Sequence, residues 1–264
     1  MTDAAPALSV ILPCYASAEL AAKSVEVLAA YLPSVAKGWE IVVVDDGGND
    51  FSATPLPAAP NIRLLRHDRN RGKGAAVRTG MLAARGRVRV FTDADVPYDR
   101  ELIPVMAEYI TARGFHVAIG DRTLPESLYS QAMPITRRAL SSVASRAIGS
   151  LVTGGFFDTQ CGIKAMRGDV ADELFRMVRI DRFAFEVEVV YLALKHGLDI
   201  KRVPVRLRRN LVSSVRPVSD AARGAWDLLA MKLRQMRGAY RSEALERIVT
   251  ADYAAMRAPF GPAA

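Results

Sequence analysis

Apolar positions in the first two-thirds of the chain follow two rhythms. Leu8–Leu12 (LSVIL) and Glu40–Val44 (EIVVV) are β-branched runs bounded by turn residues, and they predict strands buried on both faces. Ile62–Leu65, Val88–Phe91 and His116–Ile119 are shorter runs of the same kind. Between them Glu19–Leu32, Gly74–Ala84 and Arg100–Thr111 carry helical spacing. This alternation predicts an α/β fold, a mainly parallel sheet with helices on its faces. After Gly120 the rhythm breaks. Thr136–Leu151, Asp169–Val178 and Phe185–Lys195 read as helices, and Ile200–Leu207 as a further strand. Ala222, Trp226, Leu229, Leu233 and Met236 recur at three or four residues, which predicts an amphipathic helix over Ala222–Met236. Two packings are open: the stripe, Trp226 included, turns toward the core, or the helix lies in the headgroup region of a membrane, with Arg223, Lys232, Arg234 and Arg237 off the stripe as its cationic flanks. Ser52–Pro60 reads as a loop, and Ala258–Ala264 as a frayed tail.

Composition narrows the class. With 264 residues, half of them hydrophobic, the chain buries a core without disulfide or metal. It is neither disordered nor a cysteine scaffold. Cys14 and Cys161 lack a CxxC neighbourhood, which argues against zinc and for a reducing compartment. No run of 18 apolar residues is present, and MTDAAPALSV lacks the basic start of a signal peptide. The net charge of +8 is concentrated. Residues 201–241 hold eleven Lys/Arg against two Asp, leaving −1 over the other 223 residues. A basic segment on a neutral body predicts a local anionic partner, nucleic acid or an anionic membrane surface. No aromatic interleaving supports nucleic acid.

Two predicted strands run into acid clusters. EIVVV leads to Asp45-Asp46-Gly47-Gly48, and VRVFT to Asp93-Ala94-Asp95. Ligands of open parallel sheets bind beyond the C-terminal strand ends. Paired carboxylates there repel unless something offsets them, and a hard divalent cation, Mg²⁺ or Mn²⁺, would do so. The plainer alternative is that Asp45 and Asp46 cap the following turn. Asn70-Arg71-Gly72-Lys73-Gly74 precedes a helix without matching a P-loop or a dinucleotide fingerprint. Its helix N-terminus, with Arg71 and Lys73, is suited to an anion.

Taken in order, ILPCY, VVVDDGG, NRGKGAAVRTG, FTDAD, DTQCGIKAMR and FAFEVE resemble the family 2 glycosyltransferases with a GT-A fold. The nearest branch is the dolichyl- or polyprenyl-phosphate glucosyltransferases, and the resemblance runs from Ser9 to Arg216. It implies a GT-A domain over residues 1–217 and a basic helical extension over 218–264 packed on it. It further implies an inverting hexosyl transfer from a nucleotide sugar, UDP-glucose first and GDP-mannose second, to a polyprenyl monophosphate, the alternative being a soluble hydroxyl acceptor with Asp158 as its base.

The resemblance also assigns residues. Pro13, Tyr15, Glu19 and Asp45 would hold the nucleotide, with Lys73, Asp93, Ala94, Glu186 and Glu188 near its sugar and phosphates. Asp95 with Asp93 would bind Mg²⁺ or Mn²⁺. Asp158 and Gln160 would face the reaction centre. Arg122, Arg137 and Ser141 would meet the acceptor phosphate, with Arg216 beyond them. The chain departs from the family in reading Ala16-Ser17-Ala18-Glu19 after the first strand and Phe185-Glu186-Val187-Glu188 for Phe-Asp-x-Glu. The expected setting is the inner face of a cytoplasmic membrane, through residues 201–241, with a homo-oligomer possible and no nucleic acid. Three rival readings remain: a nucleotidyltransferase, a nucleic-acid-binding module and a silent nucleotide-sugar binder.

Overall fold

The computed structural model describes residues 5–128, 153–155, 158–207 and 217–257. Strands β1 (Leu8–Cys14), β2 (Trp39–Asp45), β3 (Ile62–Arg66), β4 (Val88–Thr92), β5 (Val117–Asp121), β6 (Ile163–Arg167) and β7 (Ile200–Pro204) form one sheet in the order β3-β2-β1-β4-β6-β5-β7. All pair in parallel except β6, which lies antiparallel to both β4 and β5.

Alternation explains why these runs are strands. Along β1, Ile11 enters one apolar cluster, while Val10 and Leu12 enter the other. Along β2, Val42 and Val44 go one way and Ile41 and Val43 the other. A period of two with both faces apolar is the signature of a central strand covered on each side.

Helices supply both covers. α1 (Ala18–Tyr31) and α3 (Leu102–Thr111) cover one face, through Ala21, Val25 and Leu28 and through Ile103 and Met106. On the other lie α2 (Lys73–Ala83), α4 (Gly168–Met177) and α5 (Phe185–Lys195), through Val77, Met81, Leu174, Phe175 and Val189. The chain then adds α6 (Pro217–Met236) and α7 (Glu243–Arg257). Met231 of α6, Tyr240 after it and Leu245 of α7 join this second cluster.

The sequence expectations are corrected in three places. β6 was read as part of a motif rather than as a strand, and it interrupts the parallel order. The strand expected over Ile200–Leu207 ends at Pro204, with Arg206 and Leu207 in isolated bridges. The stripe of α6 points outward: Trp226, Leu229, Leu233 and Met236 are exposed, and Met231, off that stripe, is buried instead. The helix expected over Thr136–Leu151 lies outside the described residues.

Candidate active site

The C-terminal ends of β2, β1 and β4 lie side by side, with Cys14 in register with Asp45. Because β6 runs antiparallel, its start reaches the same edge, where Ile163 pairs with Thr92. VVVDDGG, FTDAD, DTQCG and the GDR at the end of β5 therefore converge on one rim. The backbone is strained there. Ala16, Asn49 and Val96 are the positive-φ non-glycines among the described residues, at φ 47°, 58° and 42°. They follow β1, β2 and β4. A β-branched residue such as Val96 in the left-handed region is costly, and strain of this kind concentrates at functional sites.

The centre of the rim is a chain of charges. Lys164 Nζ lies 2.7 Å from Glu186 Oε2, Glu186 Oε1 lies 2.8 Å from Lys73 Nζ, and Lys73 Nζ lies 2.7 Å from Asp93 Oδ1. Lys164 is fully buried on β6 and also donates to the Cys161 carbonyl at 2.8 Å. Glu186 sits in the first turn of α5, where the helix dipole favours a negative charge. Burial opposes its charge, but Lys164 and then Lys73 prevail and hold the carboxyl below its ordinary value. Burial likewise opposes the Lys73 ammonium, yet Asp93 and Glu186 keep it charged well above the ordinary lysine value. Gly162 lies against Asp93, and a Cβ there would overlap Asp93 Oδ2. DTQCG and DAD thus interlock through a glycine.

The acid pair after β2 is engaged differently. Asp45 is buried and accepts from the amides of Gly48 at 2.7 Å and Asn49 at 3.3 Å. Asp46 accepts from the amides of Arg71 at 3.0 Å and Gly72 at 2.7 Å, and lies 2.7 Å from His67 Nδ1. With Nδ1–H given to Asp46, His67 Nε2 accepts from the Thr79 hydroxyl at 2.9 Å. The anion gripped by the NRGKG loop is therefore Asp46 itself. Gly72 (φ 108°) has no room for a Cβ, because the Asp181 carbonyl lies against it. The repulsion expected within this acid pair is relieved by backbone donors of the chain.

At the far side of the rim Arg122 and Asp158 hold each other. Asp158 accepts from the Arg122 amide at 2.6 Å, from Nε at 2.9 Å and from Nη2 at 2.5 Å. Gln160 is exposed, and its carbonyl lies 3.3 Å from Arg122 Nη2. Burial pushes the Cys161 thiol up to about 12, so it is no nucleophile near neutrality.

The remaining expected residues scatter. Pro13 is buried at the end of β1, and Tyr15 beyond it is exposed. Glu19 is exposed and paired to Lys23 at 2.6 Å. Ala94 and Asp95 are half-buried in the turn after β4. Glu188 lies a half-turn beyond Glu186, fully buried away from the rim. It accepts from the amides of Arg179 at 2.9 Å and Ile180 at 2.7 Å and from the Tyr240 hydroxyl. Arg137, Ser141 and Arg216 lie outside the described residues. Lys164 is the participant that residue-by-residue reading missed. Its signal was a lysine set between Ile163 and Ala165, both of them buried.

Among the described residues no three or more His, Cys, Asp or Glu gather as a metal site. The donors present still fit a hard cation. Asp93 and Asp95 supply carboxylate oxygens from one turn, and Mg²⁺-type ions are commonly bound by one or two carboxylates plus substrate phosphate oxygens.

The family of this chain and its relatives make it a nucleotide-sugar-dependent glycosyltransferase, with the acids, the held lysine and the Arg–Asp pair on one rim as its candidate site. The chain belongs to glycosyl transferase family 2, whose family model matches residues 9–175. It is 30% identical to the dolichyl-phosphate beta-glucosyltransferase of Drosophila melanogaster over 91% of this chain and 78% of that one. The Dictyostelium discoideum enzyme of the same name is also 30% identical, over 77% of this chain but only 65% of its own length. Among solved structures, glucosyl-3-phosphoglycerate synthase from Mycobacterium tuberculosis, with Mn²⁺, UDP and glucosyl-3-phosphoglycerate, superimposes with a TM-score of 0.60. That match has 16% identity and covers 86% of this chain and 79% of the other. Mannosyl-3-phosphoglycerate synthase from Rubrobacter xylanophilus gives 0.58 at 17% identity, covering 90% and 76%. At such identities these two establish the fold, the GT-A arrangement.

Proposed function

We propose that this protein transfers glucose from UDP-glucose to a polyprenyl monophosphate, with inversion, at a membrane surface. GDP-mannose is the second choice of donor. The relatives named above support glucosyl transfer to a dolichyl phosphate. The observation that carries the acceptor class is the Arg122–Asp158 pair. Asp158 is the rim's best candidate for a general base, yet it is held by three donors of one arginine. A hydroxyl acceptor needs its proton removed. A monophosphate has a second pKa of about 6, so it is already a nucleophile at neutral pH and needs no base. On this reading Asp158 positions Arg122, and Arg122 with Arg137, Ser141 and Arg216 receives the acceptor phosphate.

Lys73 serves the donor. Its ammonium stays charged across the physiological range because Asp93 and Glu186 face it. A diphosphate arriving at the rim meets a cation already fixed in place, and fixed charges of this kind stabilise a leaving group without reorganising. Asp95, with Asp93, would hold Mg²⁺ or Mn²⁺, which when bound neutralises charge on the leaving diphosphate. The structural neighbour that holds Mn²⁺ with UDP is in keeping with this. Asp45, Tyr15 and Pro13 are assigned to the nucleotide, and Gln160 to the donor sugar. The proposed location is the cytoplasmic face of the membrane; among the described residues no helix is long and apolar enough to cross one.

The test is transfer from radiolabelled UDP-glucose to polyprenyl phosphate in detergent, with Mn²⁺ or with EDTA. A glucosyl phospholipid forming only with metal, and lost in Asp95→Ala, is the expected result. Undiminished transfer in EDTA overturns the metal assignment. Asp158→Asn separates the acceptor classes. A phosphate acceptor loses no more than about tenfold, whereas removal of a true general base costs about 10²–10⁴-fold.

A further inference from the structure

Helix α6 has two apolar faces, and the fold covers one. Met231 is fully buried and Leu228 packs beside the core. On the other face Trp226, Leu229, Leu233 and Met236 are 67%, 51%, 39% and 75% exposed. Their spacing of three, four and three residues makes one continuous stripe on an α-helix. Contiguous exposed apolar surface of this kind marks an interaction site.

The borders of the stripe identify the partner. By helical position Arg223 and Arg237 lie along one edge, both exposed. Lys232 lies along the other, its ammonium 5.4 Å from the Tyr191 ring centroid. Next to the first edge opens a groove lined by Arg179, Arg182, Arg223, Arg234 and Trp226, with Asp181 and Asp227 as its acids. Arg234 is already committed, 3.8 Å from Glu188. The groove adjoins the catalytic rim, because the Asp181 carbonyl lies against Gly72 and accepts from the Ala75 amide at 3.1 Å. Lys73 lies between those two residues.

We propose that α6 is a membrane-docking helix that lies in the headgroup layer of an anionic bilayer. Trp226, Leu229, Leu233 and Met236 enter the apolar boundary, and Arg182, Arg223 and Arg237 meet lipid phosphates. An apolar stripe with cationic flanks is the pattern of interfacial helices, and tryptophan concentrates at the membrane–water boundary. A second copy of the chain fits worse. Both edges are cationic, so two-fold pairing of the stripes brings cations onto cations. The proposal deepens the lipid-phosphate reading and rests on it for its purpose: docking here holds the rim beside the headgroups from which the acceptor phosphate comes.

The experiment needs neither donor nor acceptor. The full chain carrying Trp39→Phe, which leaves Trp226 as the sole tryptophan, is mixed with phosphatidylcholine vesicles with and without phosphatidylglycerol. Binding is read by co-sedimentation, and insertion by a blue shift of tryptophan emission. Binding and blue shift with phosphatidylglycerol only are expected. Leu229→Gln/Leu233→Gln should weaken that binding at least about tenfold, since two partly exposed leucines lose their burial in lipid. The same double variant should keep wild-type transfer to a short, water-soluble polyprenyl phosphate, which shows that it folds. Equal binding to both vesicle types, or unchanged binding of the variant, overturns the proposal. So does a concentration-dependent dimer that the double substitution abolishes. If vesicle binding behaves as expected while glucose goes to a hydroxyl, the acceptor reading fails and the docking helix stands.

Discussion

Two acid pairs sit at the ends of strands on the same rim, and the protein uses them in opposite ways. Asp45 and Asp46, after β2, take their donors mainly from backbone amides: Gly48 and Asn49 for one, Arg71 and Gly72 for the other. Asp93, after β4, is met by the side chain of Lys73, itself held from behind by Glu186 and Lys164. Backbone amides cannot leave without unfolding a turn. An ammonium held between two carboxylates keeps its charge fixed at the rim, where an entering phosphate meets it. The first pair therefore builds the rim, and the second leaves it able to react. Similar strand-end motifs diverge in role because of what faces them.

The sharpest way to break this contrast is to remove the buried support of the second pair. Lys164→Met strands Glu186 with one cation in a site closed to water. Removing one partner of a buried ion pair costs about 3–5 kcal/mol, which lowers the melting temperature by about 10 °C in a chain of this size. Lys164→Met/Glu186→Met should recover most of that stability, since an apolar pair can replace a buried ionic one. It should not recover donor affinity, because Lys73 has lost the group that holds it. A double variant that regains both stability and KM for the donor would show that Lys73 needs no positioning.

Asp46→Asn comes next. It exchanges a carboxylate with three donors for an amide whose NH₂ must face one of them. Hydrogen bonds to a charged group are worth about 1.5–3 kcal/mol, so a loss of about 2–3 kcal/mol is expected in urea unfolding. KM for the nucleotide sugar should rise with little change in kcat, as the loop carrying Lys73 loosens. A fall in kcat alone would place Asp46 at the chemistry and erase the contrast between the pairs.

Titration probes the second region from both ends of the pH scale. Opposed by burial, Lys164 and Lys73 nonetheless hold Glu186 below its ordinary value of 4.5. The native state therefore binds that proton less readily than the unfolded chain. The resulting stability is fully present above about pH 4.5 and is lost as pH falls through the lower, native value. Lys73 is held above its ordinary 10.5, so its share is present below about pH 10.5 and is lost as pH rises further. Melting temperature measured against pH should fall at both ends. The acid limb should be shallower in the Lys164→Met/Glu186→Met variant.

Most of the frame was legible because its strands are short, β-branched and buried on both sides. β1, β2 and β4 extend the predicted runs by no more than a residue or two at each end. β6 was not legible, because a lysine occupies the second position of IKAMR. Burying it depends on Glu186, 22 residues further on, which no local pattern announces. The motifs pointed to Asp93 and Lys73 as neighbours of the donor, and these two do meet. They could not say that Asp46 faces inward, since Asp45-Asp46 looks the same whichever group each acid finds. Periodicity found the stripe on α6 but not its direction. Leu228 and Met231 form a second apolar line, and the fold buries that one.

The smallest effect is the most discriminating for Asp45. Its carboxylate caps the turn after β2, with a good bond to Gly48 and a long one to Asn49. Asparagine keeps an oxygen for the first and loses only the second. Asp45→Asn should therefore cost no more than about 1 kcal/mol, within the range of one ordinary hydrogen bond. If turn capping is its whole role, KM for UDP-glucose stays put. If Asp45 also accepts from the uracil ring, the nucleotide loses a charge-assisted bond and KM rises about tenfold at unchanged stability. Measuring both in the same preparation decides whether the β2 pair is purely architectural or lends one of its members to the donor.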